Sequence, residues 1–425
     1  MQKGHGRRPA SAFNAEVIYI PHHDHKKGDS CSECHRGKLH QLSHGSLLQI
    51  IGRPFLGAKQ YKPERLRCAL CGKVFRATVP GTIERVDITA KATVSLLKYR
   101  GGVPFYRQSQ IQHLLGVPLS PTELYEMTED VANAVYSVFK ELYNEAAQGD
   151  CIHNDDTKAK ILDLINCPKK QRDKRKGVFT TSILSKGKTH SVALYCTGRK
   201  HAGENLEDLL NQRLEKEVPI QACDGLSHNL SKNHTTHVAK CLVHARRLFY
   251  HLYETWPKEM EVVLNIFGDI FENEKQAPED PEKRLRWHQR KTQPCMEKLK
   301  TYCKSLIDEK KAEPNSGLGK AIKYLENHWE GLTLFLRMPG VPLTNNENEQ
   351  LIKRAVLNRK NAYFFKNETG AKIGDILLSV IETCALNAAN PWEYLVAIQK
   401  NQHQVRQCPK NWLPWNYQDQ IRASP

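Results

Sequence analysis

The apolar positions along the chain change their period twice. Across residues 88–148 they recur at helical spacing with no alternating run. Inside that stretch, Pro104-Phe-Tyr-Arg-Gln-Ser-Gln-Ile-Gln-His-Leu-Leu predicts one short helix and Gly116-Val-Pro-Leu a turn. Ser120 then stands as an N-cap, Pro121 takes the first helical position, and Glu123 follows three residues after the cap, which together make a capping box. Helix, short glycine-containing turn, helix is the pattern of helix-turn-helix DNA readers, although many helical hairpins that never meet DNA share it.

From residue 150 the period shortens. Cys151–Asp156 reads as a strand, and Gly177–Ser185 with His190–Cys196 as a hairpin across Lys186-Gly-Lys. Asn205–Arg213 reads as a helix and Pro219–Asp224 as a further buried strand. Three strands, a helix and a strand, with acids closing the first and fourth strands, is the order of a ribonuclease H-like core. Helical spacing then returns for 241–340, where Asp280-Pro281 opens a helix carrying Leu299, Tyr302, Cys303 and Leu306 at i, i+3, i+4, i+7. That stripe is core packing. Pro339-Gly340 ends the stretch; Asn345–Val356 and Ile373–Ala388 are predicted helices, and a Pro- and Trp-containing tail closes the chain.

Composition narrows the function classes. The 425 residues carry 63 Lys+Arg against 46 Asp+Glu, a formal net charge of +17. Such an excess points to a polyanionic partner, because each phosphate neutralised releases condensed counterions. No run of about 18 apolar residues occurs, so no membrane helix is expected. Met1-Gln-Lys-Gly-His-Gly-Arg-Arg-Pro9 is basic and polar without a following apolar run, unlike a secretory signal. The 13 cysteines are odd in number and several sit in apolar segments, which favours a reducing cytoplasm over disulfides.

Four of those cysteines form two Cys-x-x-Cys knuckles, Cys31/Cys34 and Cys68/Cys71, with 33 residues between the pairs. Two such turns supply four thiolates to one tetrahedral structural Zn²⁺, so a small zinc ribbon is expected here.

Three acids carry the candidate chemistry: Asp155 in Cys-Ile-His-Asn-Asp-Asp-Thr, Asp224 in Ile-Gln-Ala-Cys-Asp-Gly, and Glu349 in Thr-Asn-Asn-Glu-Asn-Glu-Gln. Two strand-end aspartates and a helical glutamate can hold two Mg²⁺ ions about 3.5–4 Å apart, an arrangement that drives phosphodiester cleavage and transfer. Singly, each acid has a plainer reading: a strand-end turn residue, a common Asp-Gly turn, and a solvent-facing helical acid with Glu347 as a competitor two residues away. Strand alternation alone does not choose between Asp155 and Asp156. No Walker-type phosphate loop is present, so ATP is not implied.

The order of blocks resembles the transposases of the insertion sequence 66 family over nearly the whole chain. The resemblance is carried by Gly4-His-Gly-Arg-Arg-Pro, the two Cys-x-x-Cys pairs, Tyr106-Arg107-Gln108, Asp155-Asp156-Thr157, Cys241-Leu-Val-His244-Ala-Arg246-Arg247, and Asn345-Asn346-Glu-Asn-Glu349 followed by Arg359-Lys360-Asn361. It implies a DDE-type transposase that uses Mg²⁺ or Mn²⁺, with Asp155, Asp224 and Glu349 as catalytic metal ligands. Asp156 replaces the glutamate of the family's Asp-Glu-Thr motif; Thr344 and Gln350 also depart from the usual pattern. The implied partners are double-stranded DNA (terminal inverted repeats and target), further copies of the chain in the DNA complex, and accessory proteins of the same element. The implied location is the bacterial cytoplasm, with the nucleoid when bound. DNA contact is expected of Arg107, of Arg172, Lys174 and Arg175 in the basic loop, of His244, Arg246 and Arg247, and of Arg354, Arg359 and Lys360.

The expected fold class is therefore α/β. A ribonuclease H-like catalytic core (150–240 and 341–400) encloses a helical insertion (241–340). A basic arm (1–30), the zinc ribbon (31–85) and the helix-turn-helix-like DNA-binding region (88–148) precede it, and a tail (401–425) follows. For the ribbon, the purified chain is expected to hold one equivalent of zinc that Cys68→Ser releases. Elemental analysis finding less than one equivalent, or no loss on substitution, counts against it.

Overall fold

The computed structural model describes residues 26–30, 32–40, 55–67, 74–78, 83–166, 175 and 177–423. Cys31, Cys68, Cys71, Arg172 and Lys174 lie outside these residues. The chain divides into two units, Met1–Phe55 and Leu56–Pro425. In the first, an antiparallel bridge between Ser30 and Lys38 closes a turn on which Cys34 is exposed. The second opens with a two-stranded ribbon, β1 (Arg65–Arg67) and β2 (Val74–Arg76), paired Arg65 to Arg76.

Three helices follow. Asp87 caps α1 (Ile88–Tyr99) by accepting from the Thr89 N–H at 2.7 Å. A left-handed Gly116 turns the chain between α2 (Phe105–Leu114) and α3 (Pro121–Ala147). The predicted capping box is present: the Glu123 N–H donates to Ser120 Oγ and the Ser120 N–H to Glu123 Oε2. Leu124, Val131, Val135, Val138 and Leu142 bury one face of α3. That spacing runs α3 along the core shared with the sheet.

The sheet consists of β3 (Cys151–Lys158), β4 (Phe179–Lys186), β5 (Ser191–Gly198), β6 (Ile220–Cys223) and β7 (His237–Lys240), in the order β5-β4-β3-β6-β7. β3, β4 and β5 form an antiparallel meander, whereas β6 and β7 lie parallel to β3. β3 is thus the central strand, where the two halves meet. The short α4 (Leu162–Asn166) follows it, and α5 (Ala202–Leu210) makes the crossover from β5 to β6. Gly203 is needed in that crossover, since a Cβ there would meet the Leu230 carbonyl oxygen at 2.2 Å.

Behind β7 lie α6 (Leu242–Tyr250), α7 (Pro257–Lys275), α8 (Pro281–Lys291), α9 (Gln293–Asp308), α10 (Gly317–Asn327) and α11 (Trp329–Leu332). Their apolar faces make a second core with Ile220, Ala222 and Ala239 of the sheet. The stretch from Asp280, read from the sequence as one helix, is two. Asp280 caps α8 through the Lys283 N–H at 2.9 Å, but the chain breaks at Thr292 because Pro294 has no N–H to continue the ladder. The chain returns through α12 (Asn346–Ala362) and α13 (Glu368–Leu386). α14 (Pro391–Lys400), α15 (Gln402–Gln407) and α16 (Tyr417–Ala423) follow. Residues beyond 401 belong to the first core: Trp412, Leu413 and Tyr417 are buried, and the Tyr394 hydroxyl donates to the Trp412 carbonyl at 2.6 Å. No described helix is long and apolar enough to cross a membrane.

Asp375 joins α13 to β5. Its carboxyl accepts the Thr197 N–H and hydroxyl, each at 2.6 Å. Burial pushes it up to about 7 despite those bonds. Between pH about 4 and 7 the unfolded chain has lost this proton while the folded chain keeps it, so this group makes stability fall as pH rises. Asp375→Asn lacks that dependence. Its stability relative to the native chain, measured by urea unfolding, is expected to rise from pH 4 to 7.5 by on the order of 4 kcal/mol. A difference independent of pH contradicts this.

Candidate active site

The parallel register of β3 and β6 pairs His153 with Ala222. Carried two residues on, it sets Asp155 beside Asp224, which leaves β6 at its carboxyl end. The chain then makes a 3₁₀ turn over Ser227–Asn229 that returns Asn229 to both acids. The fully buried Asn229 amide donates to Asp224 Oδ1 at 2.7 Å and reaches Asp155 Oδ1 at 3.5 Å. The Asn229 backbone carbonyl accepts from the Asn154 and Gln221 side-chain amides, both at 2.7 Å. One residue therefore ties together both strands and both carboxylates. From the insertion, Tyr324 covers Gly225, where a Cβ would lie 2.3 Å from the tyrosine oxygen.

The third acid arrives on α12, whose start is fixed by side chains. Asn345 is fully buried and makes no capping hydrogen bond. Its Oδ1 instead meets His153 Nδ1 at 2.9 Å, its Nδ2 donates to the Asn154 carbonyl at 3.4 Å, and its N–H donates to Cys241 Sγ at 3.2 Å. Asn348 Nδ2 adds a bond to the Ser182 carbonyl at 3.3 Å. This docking turns the two glutamates of the first turn apart. Glu347 is exposed and pairs with Lys186 at 2.6 Å. Glu349 points inward, with Oε1 buried, lacking a hydrogen-bond partner, and 3.6 Å from His244 Nδ1. Cys241, His244 and Glu349 form one cluster of donor atoms within 4.8 Å of one another.

Burial, then the Asp224 charge, pushes the Asp155 carboxyl up to about 7. The Asp156 N–H, donating to Asp155 Oδ1 at 2.8 Å, pulls the other way, while Asp156 and Glu349 add to the rise. Burial holds the His153 ring down to about 4, so the Asn345 anchor meets a neutral imidazole. Carboxylate oxygens are the ligands a hard cation such as Mg²⁺ prefers. Among the described residues, however, the ligand atoms of Asp155, Asp224 and Glu349 do not gather within 4.8 Å. Asn229 bridges the two aspartates, while the unpartnered Glu349 Oε1 groups with Cys241 and His244.

The remaining sequence candidates divide. Asp156 faces away from this cluster, its Oδ2 2.8 Å from His201 Nδ1. Arg354 lies 3.7 Å from the buried Glu382. Arg359 donates to Thr157 Oγ1 at 3.0 Å and to the Lys158 carbonyl, so it fastens α12 to the end of β3. Arg175 pairs with Glu204 at 2.7 Å, and Arg246 stacks on Tyr250 at 5.6 Å. Arg107, Arg247 and Lys360 are exposed. Sequence reasoning missed Asn229 and the anchoring role of Asn345. The Asp-x₄-Asn spacing from Asp224 to Asn229 was the available signal for the first.

The chain matches the family model described as "Transposase IS66 family" over residues 85–373, more than half of its length. It is 25% identical to the uncharacterized protein y4jD of Sinorhizobium fredii (strain NBRC 101917 / NGR234), covering 97% of this chain and 84% of that one. It is also 25% identical to y4hP of the same organism, covering 91% and 73%.

Asn345→Ala would leave the buried His153 ring without its partner and loosen the start of α12. Such a loss costs about 1–3 kcal/mol. Denaturant unfolding is expected to show that decrease, and a change below about 0.5 kcal/mol would mean that the anchor is not needed.

Proposed function

This chain belongs to the IS66 family of transposases, and on that premise we propose that it cuts and joins DNA at the terminal inverted repeats of an insertion element. The single observation that carries the reading is the Asn229 amide spanning Asp155 and Asp224, with Glu349 within their electrostatic reach. The strand order supports a ribonuclease H-like core, because Asp224 follows the carboxyl end of β6 and Asp155 lies within β3, two residues past its parallel pairing with β6.

Asp155, Asp224 and Glu349 would hold two Mg²⁺ or Mn²⁺ ions. Bound there, the ions supply Lewis-acid activation of the attacking oxygen and stabilise the leaving one. The protein's own part is positioning. Asn229 holds two carboxylates together against their repulsion, and Asn345 sets the helix that brings the third. First a water attacks the phosphodiester at the element's end and breaks its P–O3′ bond, leaving the element with a 3′-hydroxyl and the flank with a 5′-phosphate. The freed 3′-hydroxyl then attacks a target phosphodiester and displaces the target strand's own 3′-oxygen, which leaves as a hydroxyl, so no covalent enzyme intermediate is required. Exposed Arg107, Arg247 and Lys360 suit phosphate contact, in keeping with the net charge of +17.

The test is strand cleavage and joining on duplexes ending in the repeats that flank the gene, with Mg²⁺ or Mn²⁺. Loss of a group that only supports a ligand costs about 10–100-fold, so Asp155→Asn, Asp224→Asn and Glu349→Gln are each expected to lose at least about 100-fold in rate while still binding DNA. Glu347→Gln, which alters only the exposed Lys186 pair, should stay within a few-fold of the native rate. Cleavage unchanged by Asp155→Asn and Glu349→Gln, or absent from the native chain that binds the repeats, would overturn the proposal.

A further inference from the structure

A second cluster of donor atoms lies on the other side of β3. Asp156 of β3, His201 just before α5, and His228 in the 3₁₀ turn come from three separate elements. Each offers one ligand atom, and these lie within 4.8 Å of one another. We propose that Asp156, His201 and His228 form a binding site for a borderline transition-metal cation of the Zn²⁺ class, separate from the three-carboxylate site.

Donor chemistry sets the class of ion. Two imidazoles and one carboxylate suit Zn²⁺ or Co²⁺, whereas Mg²⁺ favours oxygen ligands and water. A tetrahedral ion with bonds of about 2.0–2.2 Å spaces its ligands about 3.4 Å apart, so the three groups need only small shifts to enclose one. The His201 ring is already oriented: Nδ1 sits 2.8 Å from Asp156 Oδ2, and the ring packs 4.1 Å from Phe179 and 4.8 Å from His228. No hydrogen bond to the His228 ring nitrogens occurs among the described residues, so its donor electrons are available. The nearby cations have other partners. Arg175 is paired with Glu204, and Arg199 donates to the Arg175 carbonyl. A cavity of about 410 Å³ gives an ion a path from solvent and room for a fourth, water ligand; Phe179, His201 and His228 line it together with Glu204 and Glu207 and with Arg175, Arg199 and Lys232.

The site would also act on its neighbour. His228 adjoins Asn229, and an ion on His228 would pin the turn that holds Asp155 and Asp224 together. Gly203 already lets that turn lie against the start of α5, a Cβ there meeting the His228 carbonyl at 2.8 Å. The ion would thus fasten β3, α5 and the turn through one point, using the aspartate that this chain carries beside Asp155.

The test is Co²⁺ titration of the full-length chain, followed by visible absorption and by bound-metal stoichiometry. The native chain is expected to take up one more equivalent than His201→Gln or His228→Gln. The missing equivalent should show d–d bands without a thiolate charge-transfer band, which separates it from cysteine-bound cobalt. Asp224→Asn should retain that equivalent, which separates it from the carboxylate site and makes the result independent of DNA cleavage. Because His201 begins a helix, His228→Gln in the turn serves if the first variant fails to fold. Equal uptake by the native chain and the folded variant, or loss of the equivalent in Asp224→Asn, overturns the proposal.

Discussion

Holding carboxylates together in partial burial is the constraint on which this structure turns. Like charges repel, and burial penalises each of them, which is why Asp155 is pushed up to about 7 beside Asp224. The fold answers with neutral amides rather than cations alone. Asn229 donates to both aspartates, and Asn345 grips the neighbouring strand through His153 and the Asn154 carbonyl. Cations near the site act mainly elsewhere: Lys240 Nζ donates to the Asp224 carbonyl at 3.0 Å rather than to its carboxylate. The negative charge is therefore positioned more than it is neutralised, which suits the divalent cation proposed for it.

That arrangement explains the architecture around it. β3 is the strand where an antiparallel meander meets a parallel pair, so Asp155, two residues past the pairing with β6, can meet Asp224 beyond the end of that strand. The insertion lies over β6 and β7 and reaches the site through Tyr324 above Gly225. The chain from α6 to α11 thus packs as a lid on one half of the sheet while α3, α13 and the residues beyond 401 cover the other. Alternation along β3 gives adjacent aspartates opposite duties. Asp155 joins the carboxylates, and Asp156 joins His201 and the start of α5.

Much of this was legible in the sequence, and the limits have physical causes. The α/β class, four of the sheet's five strands and the capping box at Ser120 follow from period and local chemistry, which act over a few residues. The break at Thr292 was hidden because the apolar stripe continues across it, while only the missing N–H of Pro294 interrupts the ladder. Asp155 and Asp156 could not be separated by alternation, since which face of a strand meets β6 is a tertiary fact. The same holds for Glu347 and Glu349: both lie in the first turn of α12, and only the docking of Asn345 and Asn348 decides which faces inward. Asn229 was invisible because a buried asparagine in a turn looks like any polar loop residue. Arginines that the charge pattern assigns to DNA are, at Arg354 and Arg359, within reach of Glu382 and of the end of β3.

The central claim is that Asp155, Asp224 and Glu349 form one divalent-metal site. It is tested most directly by anomalous diffraction at the manganese edge from crystals of the full-length chain soaked in Mn²⁺. The account predicts manganese within about 2.0–2.6 Å of carboxylate oxygens from all three residues, with Glu347 still on Lys186. Manganese absent from this cluster, or bound through Glu347 instead of Glu349, would contradict it.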